Sequence, residues 1–442
     1  MNSDNPKILI LCNDFPPINS IGSDRPYSWF KYFYKFGIEP IVITKNWETN
    51  GNDRRPLIKN THSHLKTEFG EIIKTKTSHT ISSKFQEVFG NKFLLLRQII
   101  TFIEMTLGFY IRKFDRHRSI YYEARKYIEK NEIDLVITTG EPFILFLYGH
   151  KLHKEFGVKW ISDYRDGWYL NHKFGIQMIN RDIANQKPSI IERLKENIIE
   201  KFTRKWEFFI EKKVSKTSST IVTVDPELAG RLQLLLKKKV DVIYNGFWNY
   251  YDVKAPRSNT FKVVFNHTGT LAPGQELELF LDSILELFLD NKINETNFEF
   301  NLIGLEYFPD RMKRLLNYKP ILNRLVFTTP RLSKDEATQR NLNADYLVNF
   351  TDPNLSAIYA KTYDYIACRK PIIVIPGDRK LLDNLVSENN LGYILSSKEK
   401  IKDFILSPVK PKFPQYDNMQ KFTRERQAEN FTILIKKILN TS

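Results

Sequence analysis

Apolar runs alternate with longer amphipathic stretches along the whole chain. In the first half the runs fall at Ile8 to Leu11, Pro40 to Thr44, Leu135 to Thr138, Val158 to Ser162 and Thr220 to Val224. The second half repeats the scheme with Lys262 to Phe265, Phe298 to Ile303, Leu325 to Thr328, Tyr346 to Phe350 and Pro371 to Ile375, and with helices such as Leu277 to Leu289 between them. Strands alternating with helices predict a parallel sheet covered by helices, once in each half. Asn245 to Asn259 holds Gly246, Pro256 and several polar residues, which suits a linker. A last helical stretch, roughly Gln420 to Leu439, follows the proline-rich run Pro408 to Pro414 and is expected to return to the first half. The pattern predicts an α/β fold of two Rossmann-like domains facing across a cleft. Their expected bounds are 1–248, with the returning helix at about 416–442, and 259–415. In such sheets ligands sit at the carboxyl ends of the strands, so the loops there are where chemistry is sought.

Length supports two domains, because 442 residues exceed what one core usually holds together. Apolar residues make up 42% and charged residues 27%, a balance that excludes a disordered chain. Cys12 and Cys368 have no Cys or His companions at metal-ligand spacing, which argues against a disulfide framework or a zinc site. A net charge of +16 favours anionic partners: nucleic acid, nucleotide phosphates or an anionic membrane. Zinc-finger spacings and RNP-like strands are absent from the sequence, so nucleic acid is not expected as a partner.

Five segments carry candidate chemistry. The loop after the first run, Asn13 to Arg25, contains Pro16, Pro17, Gly22, Ser23 and Asp24 and leads into a helix expected over Pro26 to Phe36. Gly22 permits close backbone approach, and Ser23 or Asp24 is placed to cap a helix whose N-terminus favours an anion, although any strand-to-helix unit needs such a turn. Ser162 to Trp168 sets Asp163, Arg165 and Asp166 beside an aromatic and a glycine. Its carboxylates can orient hydroxyls or act as acid/base groups and Arg165 can pair with a phosphate; the plainer alternative is a salt bridge between Arg165 and one of the aspartates. Asn245-Gly246 reads as a turn at a strand end. Phe265 to Gln275 runs from a strand through Gly269, Thr270 and Gly274 into a helix, a geometry that presents backbone N–H groups to a diphosphate. Within Ser356 to Ile373, Lys361 and Asp364 share a short helix and offer a cation for phosphate and a carboxylate for ribose hydroxyls. Standing alone, that pair would read as an ion pair on a solvated face.

In this order the segments resemble glycosyltransferase family 4 and its relatives of the GT-B fold. The first loop is similar to that family's Pro-Pro, Gly, Arg pattern, and Ser162 to Trp168 to the Asp-x-Arg-Asp-x-Trp segment of one of its branches. Ile243 to Phe247 is similar to its linker Asn-Gly, Thr268 to Gln275 to its Gly-x-Leu-x-x-x-Gln variant, and Lys361 to Pro371 to its Lys-x-x-Glu-Tyr-x-Ala-x-x-Lys-Pro run. The resemblance implies a nucleotide sugar bound mainly by the C-terminal domain through Gly269, Thr270, Gln275, Lys361, Asp364 and Tyr365, with Lys361 at the diphosphate and Asp364 at the ribose. It implies an acceptor bound mainly by the N-terminal domain, with Gly22, Ser23, Arg25 and Asn245 on the acceptor and interdomain side, and retention of anomeric configuration. Asp163, Arg165 and Asp166 are the catalytic candidates. Departures from the pattern are Ser356 and Asp364 where the family often has two glutamates, and Thr270 and Gln275 where it commonly has Arg and Lys. No Asp-x-Asp occurs, so neither a catalytic metal nor a cofactor beyond the nucleotide-sugar substrate is expected. Lys361, helix N-termini and backbone amides would then stabilise the departing diphosphate.

Phe93 to Ile111 is long enough to cross a bilayer but holds Arg97 and Glu104, each costing about 3 kcal/mol at such depth. Lys92, Arg112, Lys113, Arg116 and Arg118 flank it, so an interfacial helix on an anionic leaflet and a buried helix both fit. The basic run Lys195 to Lys216, with Trp206, Phe208 and Phe209, either widens that surface or is a solvated helix face. Met1 to Pro6 is polar and lacks the features of a signal peptide. The expectation is a cytoplasmic, metal-independent, hexosyltransferase-like enzyme, peripheral on the inner face of the membrane, extending a lipid-linked glycan in bacterial surface polysaccharide synthesis. The alternative, favoured by Ser356, Thr270 and Gln275, is a catalytically idle GT-B protein that binds a glycan or a partner.

Overall fold

The computed structural model describes residues 5–18, 20–48, 57–90, 92–108, 111, 115–171, 205–252, 262–272, 274–307, 309–409 and 414–441. Residues 1–4, Asn19, Arg112, Lys113, 195–204 of the basic run, 253–259 of the linker, Pro273 and 410–413 of the proline-rich run lie outside the described residues. The chain divides into two compact units, one running to Tyr244 and resuming at Ala428, the other spanning Asn245–Gln427.

The first unit is built on β1 (Lys7–Leu11), β2 (Glu39–Lys45), β5 (Ser63–Lys66), β6 (Glu71–Thr75), β7 (Leu135–Gly140), β8 (Lys159–Tyr164), β9 (Thr220–Thr223) and β10 (Val240–Val242). A separate two-stranded pair joins β3 (Trp47–Glu48) to β4 (Leu57–Ile58). The main sheet has the order β10-β9-β8-β7-β1-β2-β6-β5, parallel except where β5 pairs with β6. The chain leaves β1 toward β2 on one side and later fills the other side from β7, which makes β1 and β7 the switch point where such sheets bind ligands. Helices cover both faces of the parallel strands, so these need apolar side chains throughout; Ile8, Leu9, Ile10 and Leu11 are all fully buried.

The second unit holds β11 (Val263–Thr268), β12 (Phe298–Ile303), β13 (Val326–Thr329), β14 (Tyr346–Phe350), β15 (Ile372–Ile375) and β16 (Gly392–Ile394). Its sheet, β13-β12-β11-β14-β15-β16, is wholly parallel and switches direction between β11 and β14. A phenylalanine-rich core in which Phe265, Phe280, Phe300 and Phe350 meet edge to face lies under it.

The last helix, Arg424–Asn440, starts four residues later than the sequence suggests, because Tyr416–Phe422 winds as a 3₁₀ turn. From Ala428 onward it belongs to the first unit. Phe431 sits edge-on to Trp29 with ring centroids 5.0 Å apart, and Lys159 Nζ donates to the terminal carbonyls of Ile438 (2.9 Å) and Thr441 (2.6 Å), placing a cation at the negative helix end.

The apolar segment near residue 100 forms a hairpin of two helices, Ile81–Phe89 and Leu94–Gly108. Glu104 is buried, and its carboxylate accepts from the backbone N–H groups of Ile81 and Ser82 and from the Ser82 hydroxyl. The charge that looked out of place in an apolar helix thus caps the N-terminus of its neighbour. Among the described residues no helix is long and apolar enough to cross a membrane.

Candidate functional site

In the second unit the candidate residues gather at the carboxyl end of β11. The strand ends in His267 and Thr268, and the chain then turns through Gly269 at φ +96°, a conformation that side chains other than glycine rarely adopt. His267 is fully buried, with Nδ1 2.8 Å from the Val348 carbonyl of β14. A carbonyl only accepts, so it fixes the proton on Nδ1 and leaves Nε2 as an acceptor. Burial pushes the imidazole well below its usual range, with the neighbouring Lys361 charge adding to the effect, so the ring stays neutral.

Lys361 comes from the helix Ala360–Ala367. Its Nζ donates to His267 Nε2 at 3.0 Å and to the Thr270 carbonyl at 3.1 Å, two of its three N–H donors. Part of the side chain stays open to solvent, yet the protein atoms crowded around its ammonium push the group down to about 7. Both partners are neutral, so this cation sits at a switch point with a donor to spare and, among the described residues, no carboxylate paired with it.

The other expected donor residues divide by role. Gly269 uses its N–H on the Ile303 carbonyl (2.8 Å), and Thr270 has an exposed side chain and offers its carbonyl to Lys361. Gln275 is buried: Oε1 accepts from Ala272 N at 2.7 Å and Nε2 donates to the Phe350 carbonyl at 2.6 Å, so it staples the loop. Tyr365 is fully buried too, and its hydroxyl accepts from Thr268 N at 2.9 Å. Both residues therefore shape the strand end and leave direct contact to others. Asp364 is half-buried, and its charge reinforces the raising of the Tyr251 hydroxyl that burial causes. Ser356 donates to Asp378 Oδ2 at 3.0 Å; Asp378 in turn accepts from the backbone of Lys380, Leu382 and Asp383.

In the first unit, Ser20 caps the helix by accepting from Ser23 N at 3.1 Å, so the helix runs Ile21–Tyr32 and continues as a 3₁₀ turn through Phe36. That corrects the expected start at Pro26 and the expected capping by Ser23 or Asp24: Ser20 holds the extended backbone (φ −150°, ψ 154°) a cap requires. Ser23 is buried, and its Oγ has no hydrogen-bond partner among the described residues. Arg25, also buried, makes a fork with Asp163: Nη2 lies 2.7 Å from Oδ1 and Nε 3.0 Å from Oδ2, while Nη1 donates to the carbonyl of Ile243 at 2.8 Å. A carboxylate enclosed in this way holds β8, the helix and the 243–244 segment in register.

Arg165 does not pair with either aspartate of its own segment. Its guanidinium donates to the carbonyls of Gly140 and, at 3.0 Å, Glu141, and lies 3.9 Å from Asp14 Oδ2. It crosses directly over Gly22, where a Cβ would come within 1.8 Å of Nη1. Gly22, Asp14 and Arg165 therefore meet at the carboxyl end of β1 and β7. Asp166 is half-buried, and Trp168 stacks on Phe143 at 5.2 Å. Behind them Glu211, from the helix over 205–215, accepts from Tyr169 N at 3.0 Å, and burial pushes its carboxyl up to about 7. Asn245 is half-buried in the second unit. Beside it Gly246 is no turn: a Cβ there would meet the Phe422 carbonyl at 2.3 Å, and Phe247 bridges to Thr423 in extended backbone.

Sequence reasoning missed His267, Asp378 and Glu211. A histidine near the end of an apolar strand, two residues before a glycine, was the one local signal; the other two act through loops and helices without a motif.

No family profile matches the chain, and no curated protein is similar to it in sequence. Solved structures share its architecture along the whole length. Sucrose-phosphate synthase from Thermosynechococcus elongatus is 12% identical with a TM-score of 0.60, the alignment covering 99% of this chain and 100% of that one. A trehalose-6-phosphate structure from E. coli, bound with UDP-2-fluoro glucose, is 10% identical with a TM-score of 0.60, covering 99% of each chain. HepE from Anabaena, in complex with UDP and glucose, is 12% identical with a TM-score of 0.52, covering 98% and 97%. At such identity the likeness establishes the fold, which is GT-B.

Proposed function

We propose that the chain is a glycosyltransferase that moves a sugar from a nucleotide-sugar donor to a glycan acceptor, with the second unit binding the donor. The observation that carries this reading is Lys361, a cation at the end of β11 whose two partners, His267 Nε2 and the Thr270 carbonyl, are neutral. Glycosyl transfer breaks the bond between the anomeric carbon and the phosphate oxygen, and negative charge collects on the departing nucleotide. An ammonium aimed by two fixed acceptors, with one N–H left, is suited to that charge. Asp364 follows on the same helix and is the residue proposed for the ribose hydroxyls. UDP-2-fluoro glucose is bound in one solved structure of the same fold, and UDP with glucose in another, which supports a nucleotide-sugar donor here. The proposal includes retention of configuration, which the family resemblance implies, independence of metal, for which the absence of Asp-x-Asp speaks, and a lipid-linked acceptor met on the inner face of the cytoplasmic membrane during surface polysaccharide synthesis, for which the basic-flanked apolar segment near residue 100 speaks. Gly22, Asp14, Arg165 and Asp166 are proposed to face that acceptor.

Thermal-shift measurement against UDP-, GDP-, dTDP- and CMP-sugars tests the donor site. A ligand at one hundred times its dissociation constant stabilises by about 2.7 kcal/mol. One nucleotide class should raise the melting temperature of the wild type, and Lys361→Ala and Asp364→Asn should lose most of that response. Equal responses in wild type and variants would remove the assignment. A second reading, a GT-B scaffold without turnover, is favoured by Ser356 and Gln275, whose side chains are taken up internally by Asp378 and Phe350. Donor binding without sugar transfer or hydrolysis would select it.

A further inference from the structure

Large apolar side chains exposed among the described residues are concentrated in one place: eight of nineteen fall between residues 81 and 111. Val88 is 73% exposed and Phe93 63% exposed, one on the first helix of the hairpin and one at its bend. Leu96, Ile99 and Ile103 follow at helical spacing along the second helix and are exposed as well, and Phe89 joins Val88 on the first. The hairpin is prefabricated. Thr80 and Ser83 form a capping box, Glu104 closes the same helix end from the second helix, and Phe85, Phe89 and Phe93 follow one another at 4.6 and 6.1 Å around the bend. Such order is costly for an apolar surface left in water, which would gain by covering it.

The charges around it indicate what covers it. Lys84 and Lys92 are exposed at the rim; of the two acidic residues, Glu104 is buried in its capping role and the exposed Glu87 lies 3.5 Å from His79. Arg118 anchors the base of the hairpin through the His79 carbonyl (3.3 Å). Lysine is depleted at protein interfaces, but a lysine rim beside an apolar ridge matches phosphate headgroups above acyl chains. The second helix has 15 residues, about 22 Å of rise, and therefore lies along a bilayer of about 30 Å rather than across it.

We propose that the outer face of the hairpin spanning 81–108 docks the protein on an anionic lipid surface, with Val88, Phe93, Ile99 and Ile103 entering the acyl boundary and Lys84 and Lys92 meeting headgroup phosphates. The inference deepens the proposed function by naming the surface through which the enzyme reaches its acceptor, and it is read independently of it. Cosedimentation of the full chain with phosphatidylcholine vesicles, with and without phosphatidylglycerol, tests it. Binding is expected on the anionic vesicles, weakened about tenfold or more by the Val88→Asp/Phe93→Asp double variant, as loss of two buried apolar groups requires. Lys84→Glu/Lys92→Glu should weaken it also, and raised salt should mimic that variant. Nucleotide-sugar thermal shifts should persist in both variants, which separates failure of the dock from failure of the donor site. Equal binding to neutral and anionic vesicles, or binding indifferent to Val88→Asp/Phe93→Asp, would overturn the proposal. So would a wild-type dimer in sedimentation that the same variant turns into monomer without any vesicle binding, since the face would then meet a second copy of the chain.

Discussion

Arg25 and Lys361 both lie close to the carboxyl end of a switch-point strand, and their surroundings give them opposite roles. Arg25 meets the Asp163 carboxylate in a dry fork and spends its remaining donors on the carbonyls of Ile243 and Tyr244. Lys361 meets a neutral imidazole and a carbonyl. A buried charge with a matched counter-charge is a fastening; one with only neutral partners is stabilised further when an anion arrives. The comparison is broken most forcefully at Arg25. Arg25→Met should destabilise by about 3–5 kcal/mol, because it strands the Asp163 carboxylate. Arg25→Met/Asp163→Leu should recover most of that loss in urea unfolding and keep nucleotide-sugar turnover. A double variant that folds but no longer turns over would make Asp163 chemical after all.

The next test uses pH. Burial lowers the folded-state Lys361 ammonium from its ordinary value of 10.5 to about 7. Between those values the unfolded chain keeps a proton that the folded chain has lost, so stability rises with pH across this window and is least below pH 7, where the buried charge is fully present. Nucleotide binding runs the other way, since the diphosphate needs the ammonium. Its dissociation constant should grow by up to tenfold per unit above pH 7, and calorimetry in buffers of different ionisation heat should show proton uptake on binding. Lys361→Ala should flatten both. A wild type whose affinity is level from pH 7 to 9 would mean that the ammonium is already compensated, and the contrast with Arg25 would disappear.

Parallel strands covered on both faces read as nearly continuous apolar runs, which is why Ile8 to Leu11, Phe298 to Ile303 and Tyr346 to Phe350 could be read directly from the sequence, although Glu299, Asn301 and Asn349 interrupt the last two. Strands at the margins escaped. All four residues of β5 are exposed, β10 reads Val-Asp-Val with Asp241 bonded to Thr220, and β16 spans three residues beginning with glycine. Lys361 was legible through its spacing to Asp364. His267, which aims it, was not, because the histidine's tautomer is set by a carbonyl 81 residues away. Distance hid the Arg25 pairing as well: Asp163 is 138 residues on, and the nearer Arg165 looked like its partner. Local chemistry is written in a motif, whereas which charge answers which depends on strand order.

The smallest expected effect concerns Arg165, the third cation of this comparison. Its guanidinium lies 3.9 Å from Asp14 and donates to two carbonyls, so it stands between the fastened Arg25 and the unanswered Lys361. Gly22→Ala would put a Cβ 1.8 Å from Arg165 Nη1 and 2.8 Å from Asp14 Oδ2, both at the ends of side chains that can swing aside. Gly22 has no left-handed backbone to lose, and alanine inside a helix gains about 0.5–1 kcal/mol over glycine. The carbonyls of Gly140 and Glu141 would lose their donor, at a cost of about 1 kcal/mol each where water does not replace it. The losses outweigh the gain by about 1–1.5 kcal/mol at most, and the melting temperature should fall by only a few degrees. Acceptor affinity should fall while the nucleotide response stays intact, because the displaced group belongs to the first unit alone. A Gly22→Ala variant with unchanged KM for acceptor would show that Arg165, like Arg25, is a fastening, and would leave Lys361 as the one cation of the three set aside for a ligand.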